Sequence, residues 1–176
     1  MPAKLKWSNP RYQDIHSSKL ELLASQDASS LIRVIAGNID GNYGPGITHT
    51  PISIVHSSIS RGSSLNLSWE PKFNAIGYVL AGHGYAGEER VQIKSGQTIQ
   101  FGEGEFINVT ASMVQDSRSD DLELLILGGQ PIREPIAWGG PFVMNTEQEL
   151  VAAFKDYQTG KLGIIPAEDH IPQQII

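Results

Sequence analysis

Hydrophobic and polar residues alternate over most of the first 130 positions of the chain. A period of two places successive side chains on opposite faces of a strand, and clusters of Gly, Ser, Asn and Asp between the runs are typical of turns. Eight runs predict strands, at residues 31–35, 52–59, 65–69, 75–80, 91–93, 99–101, 106–109 and 122–127. The pattern therefore predicts an all-β domain, a jelly-roll sandwich or barrel over residues 31–130.

Two of these runs, 75–82 and 122–129, are apolar in both alternating sets. Strands of this kind are typical of positions covered on both faces, so we expect them at the centre of the sheet. The segment 19–30 shows no clear period and predicts a surface loop at the end of an N-terminal arm, residues 1–30. Within this arm, Arg11, Tyr12 and Asp14 form a polar cluster that we expect to anchor the arm by hydrogen bonds.

The period changes towards the C-terminus, where residues 131–163 predict a proline-rich loop followed by one helix. Prolines at 131, 135 and 141 exclude helix interior before Phe142. Thr146 and Glu149 form a capping box, and Gly160 is a typical helix end. Residues sharing one helical face at 3.6 spacing are Leu150, Val151, Phe154 and Tyr157.

Composition sets the broad class of protein. The chain has 176 residues, of which 40% are hydrophobic. This is enough apolar material for the core of one domain, so we expect a single domain over residues 1–176. Residues 164–176 are expected to form a polar tail. A formal net charge of −6 argues against direct nucleic-acid binding, which needs a basic face. The chain has no cysteine and no apolar run long enough to span a membrane, and its N-terminus lacks an apolar leader. We therefore expect a soluble, cytoplasmic protein.

Four segments carry a resemblance to a known family. They are NPRYQDI (9–15), RVIAGNIDGNYGP (33–45), THTPISI (48–54) and EPIAWGGPFVMNTEQELVAAFKDYQTGKLG (134–163). In this order they resemble the C-terminal half of the pirin family, whose members contain two cupin halves, and residues 1–4 resemble the linker between the halves. The resemblance implies a single cupin-like domain with a C-terminal helix.

A cupin that binds iron needs about three imidazoles and a carboxylate inside the barrel, usually including a His-x-His pair. None of the five histidines forms such a pair. When the motif of the family's metal-binding half is aligned with residues 76–82, its two His-x-His ligand positions fall on Ser68 and Glu70. The downstream motif of the family contains a His and a Glu, and residues 106–112 contain neither. We therefore predict no metal, cofactor or catalytic site. His49 and His56 are the weaker alternatives as ligands, with iron as the alternative cofactor.

The other histidines favour structural roles. His16 follows the polar cluster of the arm, His83 lies in a Gly-His-Gly turn, and His170 lies in the tail. Surface positions of this kind are more often solvated than ligating.

Three functions stay open. The leading hypothesis is a non-catalytic pirin-like module acting in protein interaction or assembly, as a homodimer or with an N-terminal pirin half. The alternatives are an iron-dependent dioxygenase of quercetinase type and a cupin that binds a small ligand without catalysis. In pirins the C-terminal helix packs across the partner half, so the resemblance implies an interface formed by Phe142, Met144, Leu150, Phe154 and Tyr157.

Overall fold

The computed structural model describes residues 1–8, 11–116 and 120–163. The contacts divide the chain into a larger unit, residues 9–132, and a smaller unit that joins residues 1–8 to the segment beginning at Arg133. None of the helices in the described ranges has the length and apolar character needed to cross a membrane.

The strands of the larger unit follow one another closely along the chain. They are β1 (Glu21–Ala24), β2 (Ser30–Ala36), β3 (Asn38–Ile39), β4 (Asn42–Tyr43), β5 (Ile52–Ser60), β6 (Ser64–Ser68), β7 (Asn74–Ala81), β8 (His83–Ala86), β9 (Val91–Lys94), β10 (Thr98–Phe101), β11 (Phe106–Ala111) and β12 (Asp121–Gly129). A six-stranded antiparallel sheet has the order β1-β2-β5-β12-β7-β10, and a four-stranded sheet has the order β6-β11-β8-β9. Each of the eight predicted runs is a strand, so the all-β prediction is confirmed.

The core of the larger unit is built from one alternating set on each long strand. On β5, for example, Val55, Ser57 and Ile59 are fully buried, whereas His56 and Ser58 between them are half-buried. Apolar side chains from both sheets form one continuous buried cluster. This burial is the main stabilising term for a two-sheet domain.

One expectation about the central strands is wrong. β12 and β7 do lie inside the six-stranded sheet, but they are not covered on both faces. The outward side chains of β7 remain open to solvent, with Ile76 45%, Tyr78 42% and Leu80 42% exposed. The outward apolar side chains of β7 therefore do not belong to the core of this unit.

Two further segments differ from the prediction. The expected loop 19–30 contains the edge strand β1, which pairs with β2. The turn that follows is closed by Asp27, whose pKa falls to about 2 because it accepts hydrogen bonds from Ser25 and then from Ser29. His83 lies in strand β8, paired with Lys94 of β9, and not in a turn.

A tight hairpin joins β3 to β4 through Asp40 and Gly41. Both residues have positive φ angles, 49° and 85°. Two consecutive residues in this region form the type I′ turn, whose twist matches that of paired strands.

The smaller unit consists of the hairpin β13 (Ala137–Gly139) and β14 (Phe142–Met144), followed by helix α1 (Glu147–Gln158). The predicted capping box is confirmed. The Thr146 hydroxyl accepts from the Glu149 N–H, and the Glu149 carboxylate accepts from the Thr146 N–H. The N-terminal residues are tied to this unit by two bonds, from the Ala3 N–H to Glu134 and from Lys6 Nζ to the Val143 carbonyl.

The buried face of α1 differs from the predicted one. Its buried residues are Leu150 and Ala153, which pack with Met144 and with the half-buried rings of Phe142 and Phe154. Val151 and Tyr157 are exposed. The apolar stripe is therefore narrower than the 3.6 spacing alone predicts.

Candidate functional site

A cupin that binds a metal holds it inside the barrel, and the interior of the larger unit here is largely apolar. On β6, alternation buries Leu65 and Leu67, and Trp69 continues the same set. Ser68 is the last residue of this strand and is half-buried, and Glu70, two residues later, is exposed. Both therefore belong to the alternating set that points away from the core. The two positions that the family resemblance assigns to ligands therefore do not share the buried set that forms the core.

The strand next to β6 in the same sheet adds no ligand. β11 pairs with β6, and its buried side chains are Ile107, Val109 and Ala111. Across the described ranges, no three His, Cys, Asp or Glu side chains lie close enough together to hold a metal ion. The residues of this interior do not fit the imidazole and carboxylate set that iron requires in a cupin.

The histidines are dispersed in the described structure. His49 is exposed in the loop before β5, and His56 lies on the outward face of β5. His16 and His83 each lie beside one carboxylate, 3.1 Å from Asp14 and 3.1 Å from Asp116. His170 lies outside the described residues.

His56 belongs to a polar group on the outward face of the six-stranded sheet. Arg33 Nη1 lies 3.1 Å from His56 Nδ1 and 3.4 Å from the Ser58 hydroxyl. Because a guanidinium can only donate, Nδ1 accepts and Nε2 is left to face Glu123, 3.6 Å from its carboxylate. The side chains of His56 and Glu123 are mostly covered, with exposures of 21% and 33%.

The core also contains buried polar atoms that the hydrophobic pattern does not predict. Among the described residues, the hydroxyls of Ser30 and Ser57 and the indole Nε1 of Trp69 are buried without a hydrogen-bond partner. A buried hydroxyl without a partner costs stability. These single atoms do not form a catalytic arrangement.

A cleft of about 600 Å³ lies beside the β3–β4 hairpin. The turn between β6 and β7 contributes Glu70, Lys72 and Phe73, and the hairpin contributes Asn38 and Tyr43. Two rings, two opposite charges and an amide give this cleft the mixed character of a small-molecule site.

The N-terminal arm is anchored as predicted for Arg11, but not through all three residues of its cluster. Arg11 donates to the Ile47 carbonyl, while Gln13 donates to the Pro45 carbonyl and accepts from the Ile47 N–H. Asp14 instead pairs with His16, and Tyr12 is 88% exposed. Gln13 is the anchoring residue that sequence reasoning missed.

The residues of the predicted helix interface have unequal accessibility. Met144 and Leu150 are buried in the cluster of the smaller unit, and Phe142 and Phe154 are half-buried with their rings 5.0 Å apart. Tyr157 is exposed, and its ring lies 6.0 Å from that of Phe142. This interface stays a prediction, but only part of it is available to a partner.

Two antiparallel sheets packed around a largely apolar interior, with a short hairpin and a helix after them in the chain, define a cupin-type protein. Residues 54–163 match the family profile of the pirin C-terminal cupin domain. The chain belongs to this family, which confirms the resemblance found in its sequence.

Similar proteins agree with this assignment. Pirin-1 of Arabidopsis thaliana is 30% identical over 93% of this chain and 55% of its own length. A pirin-like protein of Caulobacter vibrioides is 32% identical over 92% of this chain and 55% of its own length. The crystal structure of quercetin 2,3-dioxygenase from Acinetobacter baumannii superposes with a TM-score of 0.81, with 28% identity over 94% of this chain and 55% of that protein. The chain thus spans about half the length of the relatives it matches.

Proposed function

We propose that this chain is a non-catalytic pirin-like cupin module that acts in protein interaction or assembly. The observation that supports the proposal most is the apolar interior, in which Leu65, Leu67 and Trp69 occupy the buried set of β6. A cupin oxygenase needs imidazole and carboxylate ligands at the metal, with open positions for substrate and oxygen. An interior without such groups can stabilise the fold but has no means to hold the ion.

The partner in this proposal is a second copy of the chain or a separate N-terminal pirin-type half. Support comes from apolar side chains that the larger unit leaves exposed on β7. Large exposed apolar areas on a folded domain usually mark interaction sites.

The alternative functions each have one observation in their favour. An iron-dependent dioxygenase of quercetinase type is favoured by the similarity to the Acinetobacter baumannii quercetin 2,3-dioxygenase. A ligand-binding cupin without catalysis is favoured by the cleft of about 600 Å³ beside the β3–β4 hairpin. Thermal-shift screening of wild type and Lys72→Ala tests the latter, since a ligand of the cleft should stabilise only the wild type.

Elemental analysis and an oxygen-uptake assay test the leading proposal. We expect the purified protein to retain no stoichiometric iron, zinc or manganese, and chelation to leave its melting temperature unchanged. With iron(II) and quercetin supplied, we expect no oxygen uptake. The quercetin 2,3-dioxygenase from Acinetobacter baumannii, assayed in parallel, is the positive control.

One result would overturn the proposal directly. The purified protein would retain one equivalent of metal, and this metal content would fall when His49 or His56 is changed to Ala. Oxygen uptake would also depend on that metal. Either histidine would then be a ligand, and the enzyme alternative would replace the interaction module.

A further inference from the structure

The cleft beside the β3–β4 hairpin reaches the start of strand β5, at the edge of the core. Ser53 belongs to the inward set of this strand, with Val55 and Ser57, and it lines the cleft although only 5% of it is exposed. Gly37 and Phe73 belong to the same lining. The volume of about 600 Å³ is typical of small-molecule sites, which occupy roughly 300 to 1,000 Å³.

The hydroxyl of Ser53 is a polar group for which the protein provides no partner. Among the described residues it takes part in no hydrogen bond. It differs from the hydroxyls of Ser30 and Ser57, which are sealed inside the core, because it remains accessible from the cleft. A mostly buried hydroxyl without a protein partner favours an occupant that can form a hydrogen bond with it.

Gly37 keeps the space in front of this hydroxyl open. Its φ angle is 85°, a conformation that favours glycine, and it follows a register shift of β2 between Val34 and Ala36. A β-carbon at this position would lie 2.5 Å from the Ser53 Oγ and 2.6 Å from the Ile52 carbonyl oxygen. Any larger residue would therefore fill the space next to the hydroxyl.

The exposed part of the cleft carries one charge of each sign on a single turn. Glu70 and Lys72 are exposed, and neither side chain forms an ion pair or a hydrogen bond within the described ranges. The Phe73 N–H closes the turn by donating to the Glu70 carbonyl at 2.9 Å. A ligand with one kind of charge would be repelled by one of these side chains, whereas a zwitterion can pair with both.

The two aromatic rings of the cleft come from different segments of the chain. Phe73 is partly buried and packs against the core, whereas Tyr43 belongs to the β3–β4 hairpin and is 71% exposed. In the part of the chain that the structure describes, these two rings do not contact each other. A planar group of a ligand can therefore lie against both rings and cover the exposed face of Tyr43.

We infer that the cleft binds a free aromatic amino acid whose ring carries a hydroxyl, with tyrosine as the simplest example. The ammonium and the carboxylate pair with Glu70 and Lys72 at the exposed side, where charged groups keep part of their hydration. The ring lies against Phe73 and Tyr43, and its hydroxyl bonds to the Oγ of Ser53, a neutral partner. This inference rests on the ligand-binding alternative proposed above and requires neither a metal nor a partner chain.

Two other clefts of the larger unit lack this combination of groups. The charged residues among the described lining of one, of about 590 Å³, are Glu88 and Glu89. Those of the other, of about 700 Å³, are Asp27 and Asp40. Neither lining offers a cation to a carboxylate, so an amino acid is expected to select the cleft of Lys72.

Isothermal titration calorimetry with L-tyrosine and a set of analogues tests the inference. Phenylalanine lacks the ring hydroxyl and should bind about tenfold more weakly, because the Ser53 hydroxyl then stays unpaired. Tyramine lacks the carboxylate and para-hydroxyphenylpropionate lacks the ammonium, and each should lose about threefold or more, as expected for an exposed ion pair. Leucine keeps the zwitterion but lacks the ring, and it should not bind.

Variants of the cleft assign each loss to a side chain. Ser53→Ala should bind tyrosine and phenylalanine equally well, and Lys72→Gln should weaken the binding of tyrosine but not that of tyramine. Ser53→Ala removes no hydrogen bond within the described structure, so its melting temperature should not fall. Lys94→Gln is the matched control, since Lys94 is an exposed lysine on β9 outside the cleft, and it should bind as wild type does.

The outcomes separate this inference from the functions proposed above. Tyrosine that does not bind at millimolar concentration, or that binds equally well to wild type, Ser53→Ala and Lys72→Gln, overturns the inference. A sugar or a purely anionic acid that binds instead, with dependence on Ser53 and Lys72, also overturns it but leaves the ligand-binding alternative intact. If no compound of the thermal-shift screen binds, both are wrong. Metal content and oxygen uptake are measured separately and affect neither result.

Discussion

Ser57 shows how a single residue can act against the core that surrounds it. Its side chain is fully buried between Ile32 and Leu124 on the neighbouring strands, and its hydroxyl has no hydrogen-bond partner in the described structure. Desolvating a hydroxyl without replacing its bond to water costs about 1 to 3 kcal/mol. The position therefore lowers the stability of the larger unit.

Ser57→Ala should raise the free energy of unfolding by about 1 kcal/mol, because it removes the unpaired oxygen at little loss of volume. Urea denaturation followed by tryptophan fluorescence measures the change. The control is Ser58→Ala on the same strand, whose hydroxyl accepts from Arg33 on the outward face and whose loss should give no gain. Destabilisation by Ser57→Ala would show that the hydroxyl is satisfied.

The candidate site could be predicted only partly from residue identities. The absence of a His-x-His pair is visible in the sequence and led to the prediction of no metal ligands. The residues of β6 that face the core could also be predicted, because Leu65, Leu67 and Trp69 alternate with polar residues. The polar group in which His56 lies between Arg33 and Glu123 could not be predicted, because its three residues lie on strands that are distant in sequence.

At the scale of elements, the longer apolar-rich strands were predicted and the short or glycine-containing ones were missed. Burial alternates along the nine residues of β5 and along the first six of β12, and both strands lie in runs that the sequence marks clearly. β1 has only four residues, mostly exposed, so no burial pattern marks it and only its pairing with β2 makes it a strand. β8 was missed because Gly82, His83 and Gly84, at and just before its start, are typical of a turn.

The helix was the best-predicted element because its beginning is specified locally. Thr146→Ala should cost about 1 kcal/mol of stability in the smaller unit, since the Glu149 N–H loses its acceptor. Hydrogen exchange of the α1 amides measures the effect near the cap. Gln148→Ala is the control, because this exposed residue in the same helical turn is not part of the box. Equal effects of both variants would contradict a role for the box.

For the whole molecule, the two units differ greatly in the amount of buried apolar surface. In the described part of the chain, eighteen buried residues form the core of the larger unit, whereas Met144, Leu150 and Ala153 form that of the smaller one. Local stability follows buried contacts, so a protein of this kind opens in parts before it unfolds as a whole.

Hydrogen exchange should therefore rank the two units. Amides of β5 and β12, which lie inside the six-stranded sheet, should exchange slowest, and amides of α1 should exchange through openings of clearly lower free energy. Mass spectrometry of peptides from both units measures the difference, with the edge strand β1 as the reference for local fraying. Protection of α1 equal to that of β12 would mean that the smaller unit unfolds only together with the larger one.

The type I′ hairpin at Asp40 and Gly41 has a practical use for handling this protein. A side chain at Gly41 would have open space around it, with no atom within 4 Å of the added carbon, and the turn is fixed by its own backbone angles. Exposed tips of this kind tolerate inserted sequence better than other positions. A short affinity tag or a fluorescent label spliced between Asp40 and Gly41 would mark the molecule for microscopy or surface capture while leaving both termini free for fusion.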